Sequence, residues 1–465
     1  MSAALQEDRS WRASARRIAP LAWPVLVGQI AVLSFSTVDT ILLARFSALD
    51  LAALAIGAAA YVTIFISLMG VVLAVSPIVG QLFGARRLPD AGAQLQQAVW
   101  LAIGLSVLGM ALLAFPAPFL ALSQAPPEVA AKVRGYLAAL ALALPASLLF
   151  TAYRGFNTAV SRPKAVMALQ LGGLVLKIPL SVLLAYGAGP LPALGVVGCG
   201  IATAITMWTQ TAVAYTLLRR DPFYRPFKLG PMPRPEPRAI AALLRLGIPM
   251  GLAIGIEVTG FTFMAFFISR IGSVAVAGHQ IVANLAALLF MVPLALGNAT
   301  GTLVAQSIGA NRLGDARRIG WHGVAIGIVI ATALGASTYL LRETIVGAYT
   351  DQAVIAAAAL PLLAWVAVLH TLDAAQGVLS FVLRAWRIAT VPVIIYATSI
   401  WGIGLGGGYL LAFDATGFAP DALRGAPGFW VAATVGLGIA AVALAAFLAW
   451  VLRQRHAAGA NAPAG

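Results

Sequence analysis

GIPMGLAIGIEVTGFTFMAFF, Gly247 to Phe267, carries a single charged residue, Glu257. A run of this length and composition crosses a bilayer as a helix. A carboxylate at that depth costs roughly 3 kcal/mol or more, so its retention demands a reason. Similar apolar runs recur from Leu21 to the C-terminal tail. The whole chain of 465 residues is 61% hydrophobic and only 10% charged, against about a quarter charged in soluble proteins. The bilayer is therefore the solvent for most of the chain, and the fold class is an all-α polytopic membrane protein.

The formal net charge of +15 would suit nucleic acid, but the basic residues sit in short clusters between apolar spans. That is the positive-inside pattern rather than a phosphate-binding face, so no nucleic-acid partner is expected. The single cysteine, Cys199, excludes an intramolecular disulfide and a cysteine metal cage. Arg9, Arg12, Arg16 and Arg17 resemble a signal-peptide start. The apolar run behind them is too long and lacks a cleavage site, which predicts a retained first span.

Charge, Pro and Gly clusters divide the chain into twelve spans. The predicted organisation is a cytoplasmic N-terminal segment (1–17), an N-terminal lobe of six spans (18–218), a cytoplasmic linker (219–240), a C-terminal lobe of six spans (241–452) and a cytoplasmic tail (453–465). With both termini inside, most of the 30 basic residues fall on the cytoplasmic side. Only Arg45, Lys132, Arg134, Arg270, Arg342 and Arg424 fall outside, and Lys177 lies within a span. The segment DPFYRPFKLGPMPRPEPR, Asp221 to Arg238, is Pro-rich and basic and reads as an inter-lobe linker.

The halves repeat. VGQLFGARRLPDA (Val79 to Ala91) matches VAQSIGANRLGDA (Val304 to Ala316) at eight of thirteen positions, and Pro24 meets Pro249 at the same offset of 225 residues. A constant offset predicts a repeat without a gap. Six spans per half is an even number, so both halves enter the membrane in the same direction. This predicts two parallel-repeat six-helix lobes around a central cavity. Pro24 and Pro249 are candidate hinges, since a helical Pro frees a carbonyl and permits a bend.

Three acids remain inside spans once loop and end positions are removed: Asp39 in span 1, Glu257 in span 7 and Asp373 in span 10. An intramembrane ionisable group is functional by default, with a structural hydrogen-bonding role as the alternative. Met250, Ile254, Glu257, Phe261 and Met264 share one helical stripe, and so do His370, Asp373, Gln376 and Ser380. Met250, Phe261 and Met264 are candidates to line a cavity for an apolar cation, through charge pairing and cation–π contact. His370 is either a proton relay or a hydrogen-bonded structural residue.

Span 5 carries Gln170, Gly173, Lys177 and Ser181 on one face. A buried ammonium needs a partner, and the three carboxylates are the only candidates at that depth; the alternative is that Lys177 snorkels to the interface. Motor motifs are absent: no lysine follows a glycine, so there is no Walker A loop, and there is no HExxH. A GxGxxG pattern at Gly402, Gly404 and Gly407 lies inside an apolar span and reads as close helix packing. Transport is therefore expected to draw on an ion gradient or the substrate's own.

VDTILLARFSALDLAALAIG (Val38–Gly57), AGHQIVANLAALLFMVPLALGNATGTLVAQSIGA (Ala277–Ala310) and VGCGIATAI (Val197–Ile205), with Glu257 and Asp373, resemble the NorM-type branch of the multidrug and toxic-compound extrusion (MATE) transporters. The resemblance covers nearly the whole chain. It implies efflux of cationic, amphipathic compounds in exchange for Na+ or H+, without a cofactor. It also implies a cation site at the positions of Glu257 and Asp373, where Na+ is an option, and an N-lobe role for the position of Asp39. The family places the residue matching Lys177 close to the one matching Asp39. NorM-type members often have asparagines where LKIPLS (Leu176–Ser181) has Lys177 and Ser181. Some have a tyrosine at the position of Leu369.

The reading that follows is an H+- or Na+-coupled antiporter in a bacterial inner membrane, working as a monomer by alternating access. The alternative is a flippase for lipid-linked precursors, whose anionic carriers call for a net basic cavity; three acids to one base in the spans favour cations. A channel lacks its pore-lining repeat, and an intramembrane enzyme lacks a nucleophile or metal motif.

Overall fold

The computed structural model describes residues 10–123, 125–187, 189–415, 417 and 419–460. Glu7, Asp8 and Arg9 of the expected N-terminal segment and the last five residues of the tail lie outside the described residues. Twelve helical stretches are long and apolar enough to cross a membrane, and no strand occurs among the described residues. The protein is an all-α polytopic membrane protein.

In the first half the helices are α1 (Trp11–Phe46), α2 (Ala48–Val72), α3 (Val75–Gly84), α4 (Leu88–Ala114), α5 (Ala117–Ser123), α6 (Pro127–Ala159), α7 (Pro163–Tyr186) and α8 (Val196–Arg220). In the second half they are α9 (Pro237–Ser269), α10 (Ser273–Gly309), α11 (Leu313–Leu340), α12 (Arg342–Tyr349), α13 (Ala353–Ala385), α14 (Thr390–Tyr396), α15 (Gly408–Ala412) and α16 (Ala426–Ala460). A π-helix, Ala397–Gly407, joins α14 to α15. The short helices α5 and α12 are not spans. The second span is α2 and α3 together, broken at Leu73 and Ala74; Pro77 has no N–H to offer and its ring crowds the carbonyl four residues back, at Leu73.

Helices run past the apolar runs at their polar ends. Helix α1 starts at Trp11 instead of residue 18, and α9 at Pro237 instead of 241. The sixth span starts at Val196, where Gly195 at φ +55 forms a turn before it.

Two pairs of equivalent helix ends use one device. Arg86, Ser161, Asn311 and Arg387 all adopt φ between 57 and 61. The next residue's N–H then reaches back five residues, from Arg87 to Leu82, Arg162 to Asn157, Arg312 to Ser307 and Ile388 to Leu383, at 2.8–3.0 Å. This caps the last carbonyls of each helix. Arg86 and Asn311 are 225 residues apart, but Ser161 and Arg387 are 226 apart. The repeat therefore contains a one-residue insertion, and the constant offset expected from the sequence does not hold along the whole half.

The chain divides into two compact units. One is Pro24–Gly255; the other takes the chain up to Trp23 together with the chain from Ile256. Both divisions fall inside helices, at Pro24 in α1 and after Gly255 in α9, six residues beyond Pro249. In the second unit, Ser14 Oγ lies 2.7 Å from His322 Nδ1.

The expected linker is not a free strand. Pro222–Phe227 forms a 3-10 helix, with Tyr224 and Phe227 buried. Tyr224 Oη donates to Asn157 Oδ1 at 2.6 Å, and Arg162 pairs with Asp221 at 2.6 Å. The stretch that follows is strapped along α4: Trp100 Nε1 donates to the Pro233 carbonyl at 2.8 Å, and Gln97 Nε2 to that of Arg234 at 3.1 Å. Gln97 Oε1 accepts from Glu236 N–H at 2.8 Å.

Candidate functional site

In the second unit, α9 carries Glu257 and α13 carries Asp373 to one cavity. Its walls are apolar: Phe261 and Met264 come from α9, Ile400 and Leu405 from the π segment, and Ala433 and Leu437 from α16. Behind the wall, Met264, Ile268, Leu363, Phe429 and Trp430 belong to one continuous buried cluster. Phe267 stacks on Phe429 at 6.1 Å and meets Tyr409 edge-on at 5.3 Å, which fixes the α9 backbone against its neighbours.

Asp373 is 8% exposed and Glu257 is half-buried. Neither carboxylate has a hydrogen bond or ion pair among the described residues. Arg384, in the last turn of α13, forms no ion pair with Glu257 among the described residues. Two bare carboxylates on an apolar cavity are costly unless a proton, a metal ion or a cationic ligand offsets them.

Of the other residues on these stripes, Phe261 and Met264 line the cavity, whereas Met250 is buried and lies in the first unit. His370 and Gln376 are buried on α13, each with one side-chain nitrogen lacking a hydrogen-bond partner. Ser380 is tied to Tyr396 Oη at 3.1 Å. None of these three is among the residues lining the cavity. The Gly402–Gly407 pattern coincides with π-helical geometry. Gly404 and Gly407 make ordinary contacts with α16, while a Cβ at Gly402 would meet nothing within 4 Å, so close packing does not explain that glycine.

The first unit treats its acid differently. Lys177 on α7 is 0% exposed and Asp39 on α1 is 3% exposed. Lys177 Nζ donates to Asp39 Oδ2 at 2.9 Å, to Thr203 Oγ1 on α8 at 2.8 Å and to Ser181 Oγ at 3.4 Å. Ser181 in turn donates to Asp39 Oδ1 at 3.1 Å, and Thr203 to the Cys199 carbonyl at 3.0 Å. All three ammonium protons and both carboxylate oxygens are satisfied, and snorkelling does not occur. Thr203 escaped the sequence reading, although its place on the face of α8 one turn after Cys199 is a signal that existed.

Two further charges have partners the sequence did not reveal: Asp50 is buried and Arg154 is partly buried. Asp50, at the start of α2, accepts from Lys132 Nζ at 3.0 and 2.9 Å and from Val196 N–H at 2.9 Å. Arg154 lies within α6, where it donates to Gln29 Oε1 at 3.2 Å and Met69 Sδ at 3.1 Å.

The model of the MatE family matches this chain twice, over residues 24–183 and 249–410. The chain belongs to the MatE family. Among its relatives, the "Probable multidrug resistance protein NorM" of Aromatoleum aromaticum is 42% identical over 436 residues, 93% of this chain and 92% of that protein. The "Multidrug resistance protein NorM" of Vibrio cholerae is 33% identical over 447 residues, 96% of this chain and 97% of that protein. Among solved structures, the eukaryotic MATE transporter AtDTX14 superposes with a TM-score of 0.85 at 18% identity, covering 96% of this chain and 99% of that one. The MATE assignment carries the fold and places the chain among multidrug efflux transporters. The doubled match also fits the internal repeat: its copies start 225 residues apart, at 24 and 249.

Proposed function

We propose that this transporter is an antiporter that exports cationic, amphipathic compounds in exchange for H+ or Na+ by alternating access, with Glu257 and Asp373 as the coupling pair. The observation that carries this reading is the pair of unpartnered carboxylates on one apolar cavity. A proton or Na+ and an organic cation then compete for the same negative charge, and each expels the other. Phe261 and Met264 offer the aromatic and polarisable surface that a greasy cation prefers. Where two H+ or Na+ enter for one monovalent cation, one net charge moves inward and a membrane potential of about 150 mV supplies roughly 3.5 kcal/mol, enough for a gradient of several hundredfold; a one-for-one exchange draws on the ion's concentration gradient alone.

Asp39 takes no ion in this scheme. Lys177 already neutralises it, so the pair acts as a clamp between α1, α7 and α8, and coupling falls to the second unit. The distribution of basic residues supports both termini in the cytoplasm, with the chain working as a monomer in the inner membrane of a bacterial cell. The internal repeat supports lobes at 18–218 and 241–452, with Pro24 and Pro249 as bends. Efflux of a fluorescent organic cation from everted vesicles, with Na+ and pH gradients imposed separately, tests the scheme. Dependence on one of the two gradients supports it, and efflux indifferent to both, or driven by ATP alone, contradicts it.

A further inference from the structure

The π-helix Ala397–Gly407 runs for eleven residues, whereas π geometry usually occurs as single turns and clusters at functional sites. Ile400, Gly404 and Leu405 from this segment face the cavity of Glu257 and Asp373. Trp401 sits in the same turn, and its indole N–H donates to the Ile256 carbonyl at 3.1 Å. Ile256 immediately precedes Glu257, and it is also the first residue of the second unit beyond the division inside α9. The tryptophan ring stands edge-on to Phe263 at 5.8 Å. One turn on, a Cβ at Gly260 would press within 2.7 Å of Ile400 Cγ2, so a bare turn of α9 is matched to the π segment.

Neither burial nor backbone satisfaction accounts for this tryptophan. Its side chain is 44% exposed, and a helical carbonyl is ordinarily satisfied by the N–H four residues on. The additional donor instead fixes where the Ile256–Glu257 peptide stands relative to the opposite wall. A carboxylate that must exchange an ion for an organic cation depends on such fixed geometry, because misplacement of reacting groups by an ångström is costly.

We propose that Trp401 is a positioning residue for Glu257, holding its turn of α9 through the Ile256 carbonyl from the π-helical wall. This rests on Glu257 and Asp373 being the coupling pair. The wider π turn is what presents the indole N–H, Ile400 and Leu405 to α9 together.

The test uses the full chain in proteoliposomes with tetraphenylphosphonium as the probe. Its binding is titrated against pH without a gradient, and its transport is measured with one. Trp401→Phe keeps a ring but removes the donor. It is expected to displace the pH midpoint of binding by about half a unit or more and to lower maximal transport about tenfold with KM little changed. Trp401→His, which retains an N–H, is expected to recover part of both. In a Glu257→Gln background the pH dependence is lost, and adding Trp401→Phe has no further effect on binding. A wild-type midpoint in Trp401→Phe, beside a lost midpoint in Glu257→Gln, overturns the positioning role alone. A wild-type midpoint in Glu257→Gln overturns the coupling assignment itself. If Trp401→Phe does not reach the membrane, Trp401→His decides: a partly displaced midpoint supports the role, and an unchanged midpoint with only KM raised makes the ring plain wall.

Discussion

Lys177 Nζ lies 2.9 Å from Asp39 Oδ2, and both side chains are buried among α1, α7 and α8. Asp39 thus carries its own counter-ion, while Glu257 and Asp373 in the second unit carry none among the described residues. Removing half of such a pair leaves the other half buried and uncompensated, at about 3–5 kcal/mol. Asp39→Asn alone should therefore reduce the yield of folded protein sharply. Asp39→Asn combined with Lys177→Asn should restore much of the yield and the transport. Thermal unfolding and vesicle efflux on the three proteins check this, and a double variant no better than Asp39→Asn would show that Asp39 has a transport role of its own.

The Asp50–Lys132–Val196 cluster should behave as a stability element and nothing more. Asp50→Asn loses its ion pair with Lys132, at roughly 1–3 kcal/mol. Gly195→Ala places a Cβ against the Asp50 carboxylate and demands φ +55 of a residue that disfavours it. Both variants should lower the melting temperature by several degrees and leave the KM for an exported cation unchanged. A raised KM with normal stability would move this cluster into the transport path.

The strap of the linker has a pH dependence whose sign follows from Asp221. Its carboxyl is held below the ordinary range by the Phe223 N–H and then by Arg162. A depressed folded-state value contributes stability that is complete above the ordinary carboxylate value and lost as pH falls through the folded one. Protection against hydrogen exchange in residues 222–236, taken relative to the intrinsic rate at each pH, should therefore be high at neutral pH and be lost only below about pH 4. Asp221→Asn should show faster exchange already at neutral pH, and an unchanged rate there would contradict the role.

Spans, and the charges well inside them such as Asp39, Lys177, Glu257 and Asp373, were legible because the bilayer makes them so: apolar length identifies a crossing, and an ionisable group deep inside one has few explanations. Lys177 could be matched to an acid by depth alone. Thr203 was passed over despite its place one turn after Cys199, because a threonine in a membrane helix ordinarily bonds its own carbonyl four residues back. Thr203 does that as well, to Cys199. Asp50 and Lys132 are 82 residues apart, and only the packing of α2 on α6 joins them. The π-helix was hidden because glycines spaced for close packing and glycines that permit a wide turn look alike in a sequence. Helix ends beyond the apolar runs, such as Trp11 to Arg17, were hidden because polar residues continue a helix without any hydrophobic signal.

The central claim is that Glu257 and Asp373 carry the coupling, and it is tested most directly by neutralising each in turn. Glu257→Gln and Asp373→Asn remove a charge with little change of shape. Drug efflux from everted vesicles should be followed under an imposed H+ or Na+ gradient, with the amount of each protein in the membrane measured alongside. The account predicts that both variants reach the membrane and that each loses gradient-driven efflux. Efflux near that of the unmodified protein in either variant would contradict it.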